Sequence, residues 1–173
     1  TFSSEKKIYI RGVNGSGKSV LLKMIVGYSR PDKGMIKVDG IQIGKDRDFI
    51  PNAGVSINAP EFIKSLSGME NLLELANIRK VAEKEDILKL AEYLDLKDDL
   101  KKKYSTYSLG MKQKLRIIQA VMEKPQYLIL DEPFDALDRG SKEKVSKLLE
   151  DFITSSSDRY LIYTSHDSKM DDF

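Results

Sequence analysis

The segment GVNGSGKS, residues 12–19, places glycines, a lysine and a serine in the order G-x-x-x-x-G-K-[ST]. Glycines let a backbone wrap around a phosphate with its N–H groups pointing inward, and a helix that starts here adds partial positive charge. Lys18 would reach the β- and γ-phosphates of a nucleotide, and the Ser19 hydroxyl would ligate Mg²⁺. The alternative is a turn that only connects two elements, but the position between a strand-like and a helix-like run favours a phosphate site.

Two acidic residues and the only histidine of the chain follow two other apolar runs. Asp131 and Glu132 end YLILDE, and an acid at this position in a phosphate-loop protein holds the Mg²⁺ coordination shell, which fits Asp131. Glu132 could orient and deprotonate an attacking water, and His166 could donate to γ-phosphate oxygens. Acids also end strands at the solvent boundary, and a lone histidine is often incidental. Coupled to Lys18, these residues predict phosphoryl transfer to water.

The candidate residues need elements that bring them together, and the apolar patterns supply strands and helices in alternation. Strands are predicted at residues 7–11, 53–57, 126–130 and 159–165. The uninterrupted apolar run Tyr127–Leu130 is typical of a strand buried on both faces of a parallel sheet. A hairpin is predicted where Asp39-Gly40, a pair favoured in type I′ turns, joins two alternating runs. The pattern indicates an α/β domain with a mainly parallel sheet, which binds ligands at the carboxyl ends of its strands.

Helices dominate the middle of the chain. An S-x-x-E capping-box pattern starts one helix at Ser67, and a second helix is predicted over residues 84–94. Ser108 is predicted to cap a third helix, and the charged run KDDLKKKY before it is expected to be a solvated connector. Residues from about 60 to 107 are therefore predicted to form a helical insertion into the α/β domain.

The composition of the chain excludes several kinds of site and gives no support to others. The 173 residues are 40% hydrophobic and carry a net charge of +2, so there is no bulk electrostatic case for nucleic acid or an acidic membrane. The absence of cysteine excludes disulfides, cysteine-based zinc sites and thiol nucleophiles, and it suits the cytosol. No apolar run approaches the roughly 20 residues that span a bilayer. Because strand-like runs lie close to Thr1 and Phe173, we expect both ends to be truncated.

The order of five motifs resembles the ATPase subunit of ATP-binding-cassette (ABC) transporters, and the resemblance covers essentially the whole chain. GVNGSGKS is similar to Walker A, YLILDE to Walker B, YSLGMKQKL to the family signature, FDALD to the D-loop and YTSHD to the switch-histidine loop. The resemblance implies a P-loop NTPase core with a mainly parallel sheet, a small antiparallel β-hairpin region and an inserted helical subdomain. It implies one domain over 1–173, with the core at 1–59 and 124–173 and the helical subdomain, including the signature helix, at 60–123.

The resemblance also implies the cofactors ATP and Mg²⁺ and a role for each matching residue. The implied catalytic residues are Lys18, Glu132 as general base and His166 as γ-phosphate sensor. The implied nucleotide-binding residues are Asn14, Gly15, Ser16, Gly17, Lys18, Ser19, Val20, Ser108, Gly110 and Asp138. The implied metal ligands are Ser19, Asn58 and Asp131. The implied reaction is hydrolysis of ATP to ADP and phosphate, coupled to transport.

Partners follow from the same resemblance. Two ATPase subunits, identical or different, would form a head-to-tail dimer in which Ser108 and Gly110 contact the γ-phosphate held at Lys18 of the other subunit. The helical subdomain would contact a separate transmembrane subunit, which places the protein in the cytoplasm at the inner face of the membrane. No nucleic acid is expected. The form YSLGMKQ resembles bacterial exporters of the antibiotic- and bacitracin-resistance type, which favours export.

Five positions depart from the common family pattern. Leu109 replaces the first signature glycine and Met111 the signature glutamine. Asn58 replaces the Q-loop glutamine and keeps its amide on a side chain that is one methylene shorter. Val20 stands where a second threonine is usual. Phe2 lies too close to Walker A for the adenine-stacking aromatic. The resemblance therefore predicts a missing or divergent A-loop.

Two other classes remain open. One is a soluble ABC ATPase that acts on ribosomes or DNA, although ribosomal members usually carry two cassettes and repair members insert long coiled coils between the Walker motifs. The chain has one cassette, and Lys18 and Asp131 are 113 positions apart (131 − 18). The other class is a nucleotide-dependent regulatory module with little turnover, favoured by Asn58 and Leu109 and opposed by Glu132 and His166.

Overall fold

The computed structural model describes residues 6–166, so Phe2 and Asp167, both part of the motif comparison above, lie outside it. The strands are β1 (Lys7–Arg11), β2 (Lys37–Val38), β3 (Ile41–Gln42), β4 (Ala53–Ser56), β5 (Tyr127–Leu130) and β6 (Tyr160–Ser165). The α-helices are α1 (Lys18–Val26), α2 (Gly68–Arg79), α3 (Lys84–Tyr93), α4 (Leu109–Val121) and α5 (Arg139–Thr154). Short 3₁₀ turns cover Lys97–Asp99 and Tyr104–Thr106.

Four of the strands form one parallel sheet in the order β1-β6-β5-β4. Side chains of β5 alternate between two apolar clusters: Leu128 and Leu130 join the cluster that contains α4 and α5, and Ile129 joins the one that contains α1. Helices therefore cover both faces of the sheet, as the uninterrupted apolar run predicts. The α/β class and the mainly parallel sheet are confirmed.

The predicted hairpin is confirmed as a two-stranded antiparallel sheet of β2 and β3. Asp39 and Gly40 have φ values of 50° and 81°, so both central residues of the turn are left-handed, as type I′ requires. The hairpin packs beside α1 through Ile43, which belongs to the same apolar cluster as Leu22 and Ile25.

The predicted helices in the middle of the chain are confirmed, but the prediction for the connector between them is wrong in one respect. The capping box at the start of α2 is complete, because Glu70 N–H donates to Ser67 Oγ at 3.2 Å and Ser67 N–H donates to Glu70 Oε2 at 2.7 Å. The predicted connector KDDLKKKY, however, is not simply solvated. Leu100 and Tyr104 are buried in the main apolar cluster, so only its charged residues face water.

Helix α4 is the element that joins the helical middle to the sheet. Ser108 caps it by accepting the Met111 N–H at 3.2 Å, as predicted. Its far end lies so close to β4 that a Cβ atom on Gly54 would stand 1.8 Å from the Ala120 carbonyl oxygen. Only glycine fits this contact, and one continuous apolar cluster runs from α2 and α3 through α4 to β5 and β6. The division into a core and a 60–123 helical subdomain stays a prediction.

Helix α5 has 16 residues and many charged ones. Within residues 6–166, no helix is long and apolar enough to cross a bilayer.

Candidate active site

A cleft of about 560 Å³ opens at the carboxyl edge of the parallel sheet, and most of the predicted site residues line it. The predicted residues along its wall are Asn14, Gly15, Ser16, Gly17, Lys18, Ser19, Val20, Asn58, Asp131 and Glu132. Seven others share it: Ser56, Ala59, Leu109, Gln113, Arg116, Asp135 and Ala136. Sequence positions more than a hundred residues apart therefore meet in one space, which we call the main cleft.

The glycine-rich loop forms one wall of the main cleft. Gly15 and Gly17 have φ values of 79° and 90°, a left-handed conformation that other residues adopt at a cost. Gly17 is also the N-cap of α1 and offers no side-chain hydrogen bond to the first turn. The amides at the start of α1 are thus available to an anion, and the helix dipole adds positive potential there. These features fit a phosphate.

Lys18 is buried and points back to its own loop. Its Nζ donates to the carbonyl oxygens of Gly12 at 2.8 Å and Val13 at 3.2 Å. The same Nζ lies 3.3 Å from Glu132 Oε1. The lysine that the motif assigns to the β- and γ-phosphates therefore lies beside the carboxylate assigned to the attacking water.

Asp131 is held at the end of β5 by neighbouring strands. Its Oδ1 accepts the Thr164 hydroxyl at 2.7 Å, and its Oδ2 accepts the Asn58 N–H at 3.4 Å. Asn58 has a φ of 55°, a left-handed conformation that asparagine tolerates better than most residues. The predicted metal ligands Ser19, Asn58 and Asp131 all line the main cleft and offer hydroxyl, amide and carboxylate oxygens. That donor set fits Mg²⁺, which prefers oxygen ligands.

Glu132 and His166 meet at the rim of the cleft. Glu132 has a φ of 49°, and its N–H donates to Thr164 Oγ1 at 2.9 Å, which fixes the turn after β5. His166 Nδ1 lies 3.0 Å from Glu132 Oε2. Partial burial acts to raise the pKa of Glu132, but hydrogen bonds from Asp135, Lys18 and His166 outweigh it, so the pKa lies below its ordinary value. Glu132 is therefore an ionised carboxylate at neutral pH.

Asp135 is a member of this cluster that the sequence motifs do not predict. Its Oδ1 lies 3.8 Å from His166 Nδ1. Burial, a hydrogen bond with Glu132 and the charge of Glu132 raise its pKa to about 6. FDALD contains two aspartates, and the family pattern assigns a role to Asp138 but not to Asp135. Position alone could have flagged Asp135, because it lies one turn past Glu132.

Gln113 and Arg116 of α4 are the other missed residues. Both are buried polar side chains that line the main cleft. The sequence carries little signal for them, because Lys112, Lys114 and Gln119 of the same helix are also polar. Most of α4 is buried, so these polar groups face protein rather than solvent.

The remaining predicted residues lie elsewhere. Ser108 and Gly110 stand at the exposed start of α4, and Asp138 caps α5 by accepting the Ser141 N–H at 2.9 Å. Of the described residues, the set that lines the main cleft includes none of these three, although Leu109 belongs to it and is 71% exposed. Their roles toward a nucleotide stay predictions.

The doubly covered parallel sheet and the glycine-rich loop at its edge define a nucleotide-binding protein of the P-loop type. A family model described as "ABC transporter" matches residues 1–135. The chain belongs to the ABC transporter family.

Individual relatives agree with this assignment. An uncharacterized ABC transporter ATP-binding protein, YybJ of Bacillus subtilis, is 38% identical over 90% of the chain and 70% of the relative. The bacitracin transport ATP-binding protein BcrA of Enterococcus faecalis is 38% identical over 76% of the chain and 44% of its own length. The chain thus spans about half the length of several curated relatives that it matches.

Solved structures agree in fold. The dimeric ATP-binding cassette MJ0796, in a post-hydrolysis state bound to ADP and phosphate, superimposes with a TM-score of 0.82. The match covers 96% of the chain and 77% of that structure at 23% identity. At this level of identity the likeness establishes the shared fold.

Proposed function

We propose that this chain binds ATP with Mg²⁺ and hydrolyses it to ADP and phosphate, to energise transport through a separate membrane-spanning partner. Residues Asn14–Val20 hold the triphosphate, and Ser19, Asn58 and Asp131 hold Mg²⁺. The metal ion supplies positive charge to the phosphate oxygens. Glu132 orients and deprotonates the water, and His166 contacts the γ-phosphate oxygens.

The observation that carries the proposal is the convergence of Lys18 and His166 on one carboxylate. Lys18 Nζ and His166 Nδ1 lie 3.3 and 3.0 Å from the two oxygens of Glu132. A cation for the phosphates, an ionised acceptor for the water proton and an imidazole are thus in direct contact with one another through Glu132. That combination suits hydrolysis by positioning and charge neutralisation.

We propose that two subunits complete the site head to tail. Ser108 and Gly110 lie at an exposed helix N-terminus, where a serine hydroxyl and free amides suit an anion presented by another molecule. Asp138, at the exposed start of α5, is proposed to act across the same interface. The MJ0796 cassette, described as a dimer, supports this arrangement.

We propose that the transmembrane partner docks on the helical subdomain, residues 60–123, and on the core beside it. A second groove of about 350 Å³ is lined by apolar side chains of both parts, among them Tyr28, Val55, Ile57, Phe62 and Ile63. Tyr28 and Ile63 are more than half exposed. An apolar groove of this size suits a short helix of the partner.

Export is the proposed direction, and the inner face of the cell membrane the proposed location. The resemblance of YSLGMKQ to exporter signatures and the identity with a bacitracin transport protein support export. A soluble, non-transport ATPase and a regulatory module remain the competing classes.

The test compares ATP hydrolysis by the wild type with that by Lys18→Ala and Glu132→Gln. Lys18→Ala is expected to lower kcat/KM at least about 100-fold, because it removes the main cation at the phosphates. Glu132→Gln is expected to lower kcat by about 100-fold or more, while Mg²⁺ and ATP still bind. With Mg²⁺ and ATP it should elute as a dimer in size-exclusion chromatography.

Two results would contradict the assignment. Normal turnover by Glu132→Gln would exclude Glu132 as the base, and normal ATP binding by Lys18→Ala would exclude the phosphate cradle. Lys23→Ala, on the same helix α1 but not among the residues of the main cleft, is the matched control and should leave turnover unchanged.

A further inference from the structure

Arg116 is a buried cation that the proposed mechanism does not use. It is 8% exposed and lines the main cleft from helix α4. Its Nε donates to the Pro60 carbonyl oxygen at 3.1 Å, 56 residues away in sequence. Pro60 follows Asn58 by two residues and lines the second groove, so Arg116 contacts the segment that separates the two cavities.

Gln113 continues this contact toward the carboxylate cluster. Arg116 Nη1 donates to Gln113 Oε1 at 3.3 Å. Gln113 Nε2 in turn donates to the carbonyl oxygens of Glu132 at 3.3 Å and Pro133 at 3.0 Å. A continuous series of hydrogen bonds therefore runs from the Pro60 carbonyl, through two side chains of α4, to the backbone of the residue proposed as the base.

The charge of Arg116 is not matched by an acid nearby. Within residues 6–166, no carboxylate lies within 4.0 Å of its guanidinium. A buried cation without an ionic partner costs stability, whereas an apolar side chain of similar volume would not. Stability therefore does not explain an arginine here. Its forked donors, which hold two acceptors in a fixed geometry, give a better reason.

We infer that Arg116 is a positioning residue: through Gln113 it fixes the Asn58–Pro60 segment relative to the backbone of Glu132. The inference rests on the proposed ATP hydrolysis and names a further residue for that site. Pro60 also lines the second groove. A partner that displaces Pro60 would therefore also displace Arg116 and Gln113, which are hydrogen-bonded in series to it. The base and the metal-binding segment then shift together rather than independently.

The experiment measures steady-state ATP hydrolysis by Arg116→Met, Gln113→Met and the double variant. Each single change is expected to lower kcat about tenfold, because small misplacement of catalytic groups is costly, with the KM for ATP within about twofold of the wild type. The KM should hold because the glycine-rich loop is untouched. The double variant should be no slower than the slower single variant, because both residues act in one series.

Arg79→Met is the matched control. Arg79 also makes two side-chain hydrogen bonds across elements, to Glu123 at 3.0 Å and Asn52 at 3.2 Å, but away from the main cleft. Its kcat should equal that of the wild type. A thermal melting curve shows whether Arg116→Met is folded. If it is not, Arg116→Lys is measured instead, because lysine keeps the charge but cannot hold the Pro60 carbonyl oxygen and Gln113 Oε1 at the same time.

Three results would overturn the inference: an unchanged kcat for Arg116→Met, multiplicative losses in the double variant, or an equal loss in Arg79→Met. A wild-type chain that does not hydrolyse ATP overturns the proposed function and this inference with it. A wild type that hydrolyses ATP beside a fully active Arg116→Met overturns the inference alone.

Discussion

Glu132 is the residue on which the polar contacts of the main cleft converge. Its two carboxylate oxygens contact a lysine and a histidine, its N–H is bound by Thr164, and its carbonyl oxygen accepts from Gln113. Every polar group of the residue is thus fixed by the protein. A carboxylate held in this way is oriented before substrate binds, which reduces the reorganisation needed during reaction.

Asp135, beside Glu132, gives this cluster a pH dependence. In the folded protein its pKa is raised to about 6 from an ordinary value of 3.8, so the folded state holds this proton more tightly than the unfolded chain. The associated stability is complete below pH 4 and is lost as the pH rises through about 6. Asp135→Asn removes this loss, because asparagine stays neutral.

The measurement is the melting temperature of both proteins without nucleotide from pH 4 to pH 7.5. The melting temperature of Asp135→Asn relative to the wild type is expected to rise across this range and to level off above pH 7. Asp158→Asn, at an exposed carboxyl whose pKa is lowered, serves as control and should show no such rise. A constant difference between Asp135→Asn and the wild type would exclude a raised pKa at Asp135.

The sequence predicted those site residues that sit in a local pattern and missed those defined by distant neighbours. Lys18 is recognisable because the surrounding glycines are adjacent in sequence. Gln113 and Arg116 donate hydrogen bonds to backbone carbonyl groups that lie 19 to 56 residues away in sequence. The charged residues around Leu100 and Tyr104 predict a solvated connector, whereas the fold buries both of these side chains in the main apolar cluster.

At the scale of elements, α4 connects the parts of the molecule. Its start carries the signature residues, its middle lines the main cleft, and its end packs against β4. The helix is buried on most of its surface, so it cannot shift without disturbing the sheet. This central position explains why the segment predicted as a capped amphipathic helix buries polar side chains, Gln113 and Arg116, as well as apolar ones.

The close contact of α4 with β4 predicts a large effect of a single methyl group. Gly54→Ala would place a Cβ 1.8 Å from a backbone oxygen of α4 and 2.8 Å from Pro125 Cγ, and neither atom is the end of a flexible side chain. The free energy of unfolding should fall by about 1–3 kcal/mol, as overpacking does elsewhere. Urea denaturation measures it.

Gly140→Ala is the control for this change. A Cβ there would lie 3.5 Å from Asp138 Oδ1, an ordinary contact, and the residue is helical. Alanine favours a helix over glycine, so this variant should be at least as stable as the wild type. An equal loss in both variants would show that the approach of α4 to β4 is not the cause.

At the scale of the whole molecule, the two cavities lie on either side of the segment from Asn58 to Pro60. Asn58 lines the main cleft, and Pro60 lines the second groove. A partner in the groove and a nucleotide in the cleft would therefore contact the two ends of one short segment. That geometry would allow occupancy of one cavity to affect the other.

The partner surface is tested by charge substitution. Ile63→Asp, at a 57% exposed residue of the second groove, is expected to lower co-purification with an integral membrane protein at least about tenfold, because it buries a charge. ATP hydrolysis by the isolated chain should not change. Ile78→Asp, at a 76% exposed residue of α2 that does not line the groove, is the control and should co-purify normally.

Recovery of the wild type with ribosomes and without a membrane protein would contradict the transporter class. Equal recovery of wild type and Ile63→Asp with a membrane protein would retain the class and exclude the groove.

The strand order has a consequence for synthesis on the ribosome. β1, which leads into the glycine-rich loop, pairs with β6, and the partners Lys7 and Leu161 are 154 positions apart (161 − 7). At roughly 5–20 residues per second, about 8 to 30 seconds separate the emergence of the two strands. The strand that leads into the glycine-rich loop therefore gains this neighbour only after β6 has been translated. A nascent chain halted before residue 160 would carry the complete loop sequence without the partner that holds its strand in the sheet.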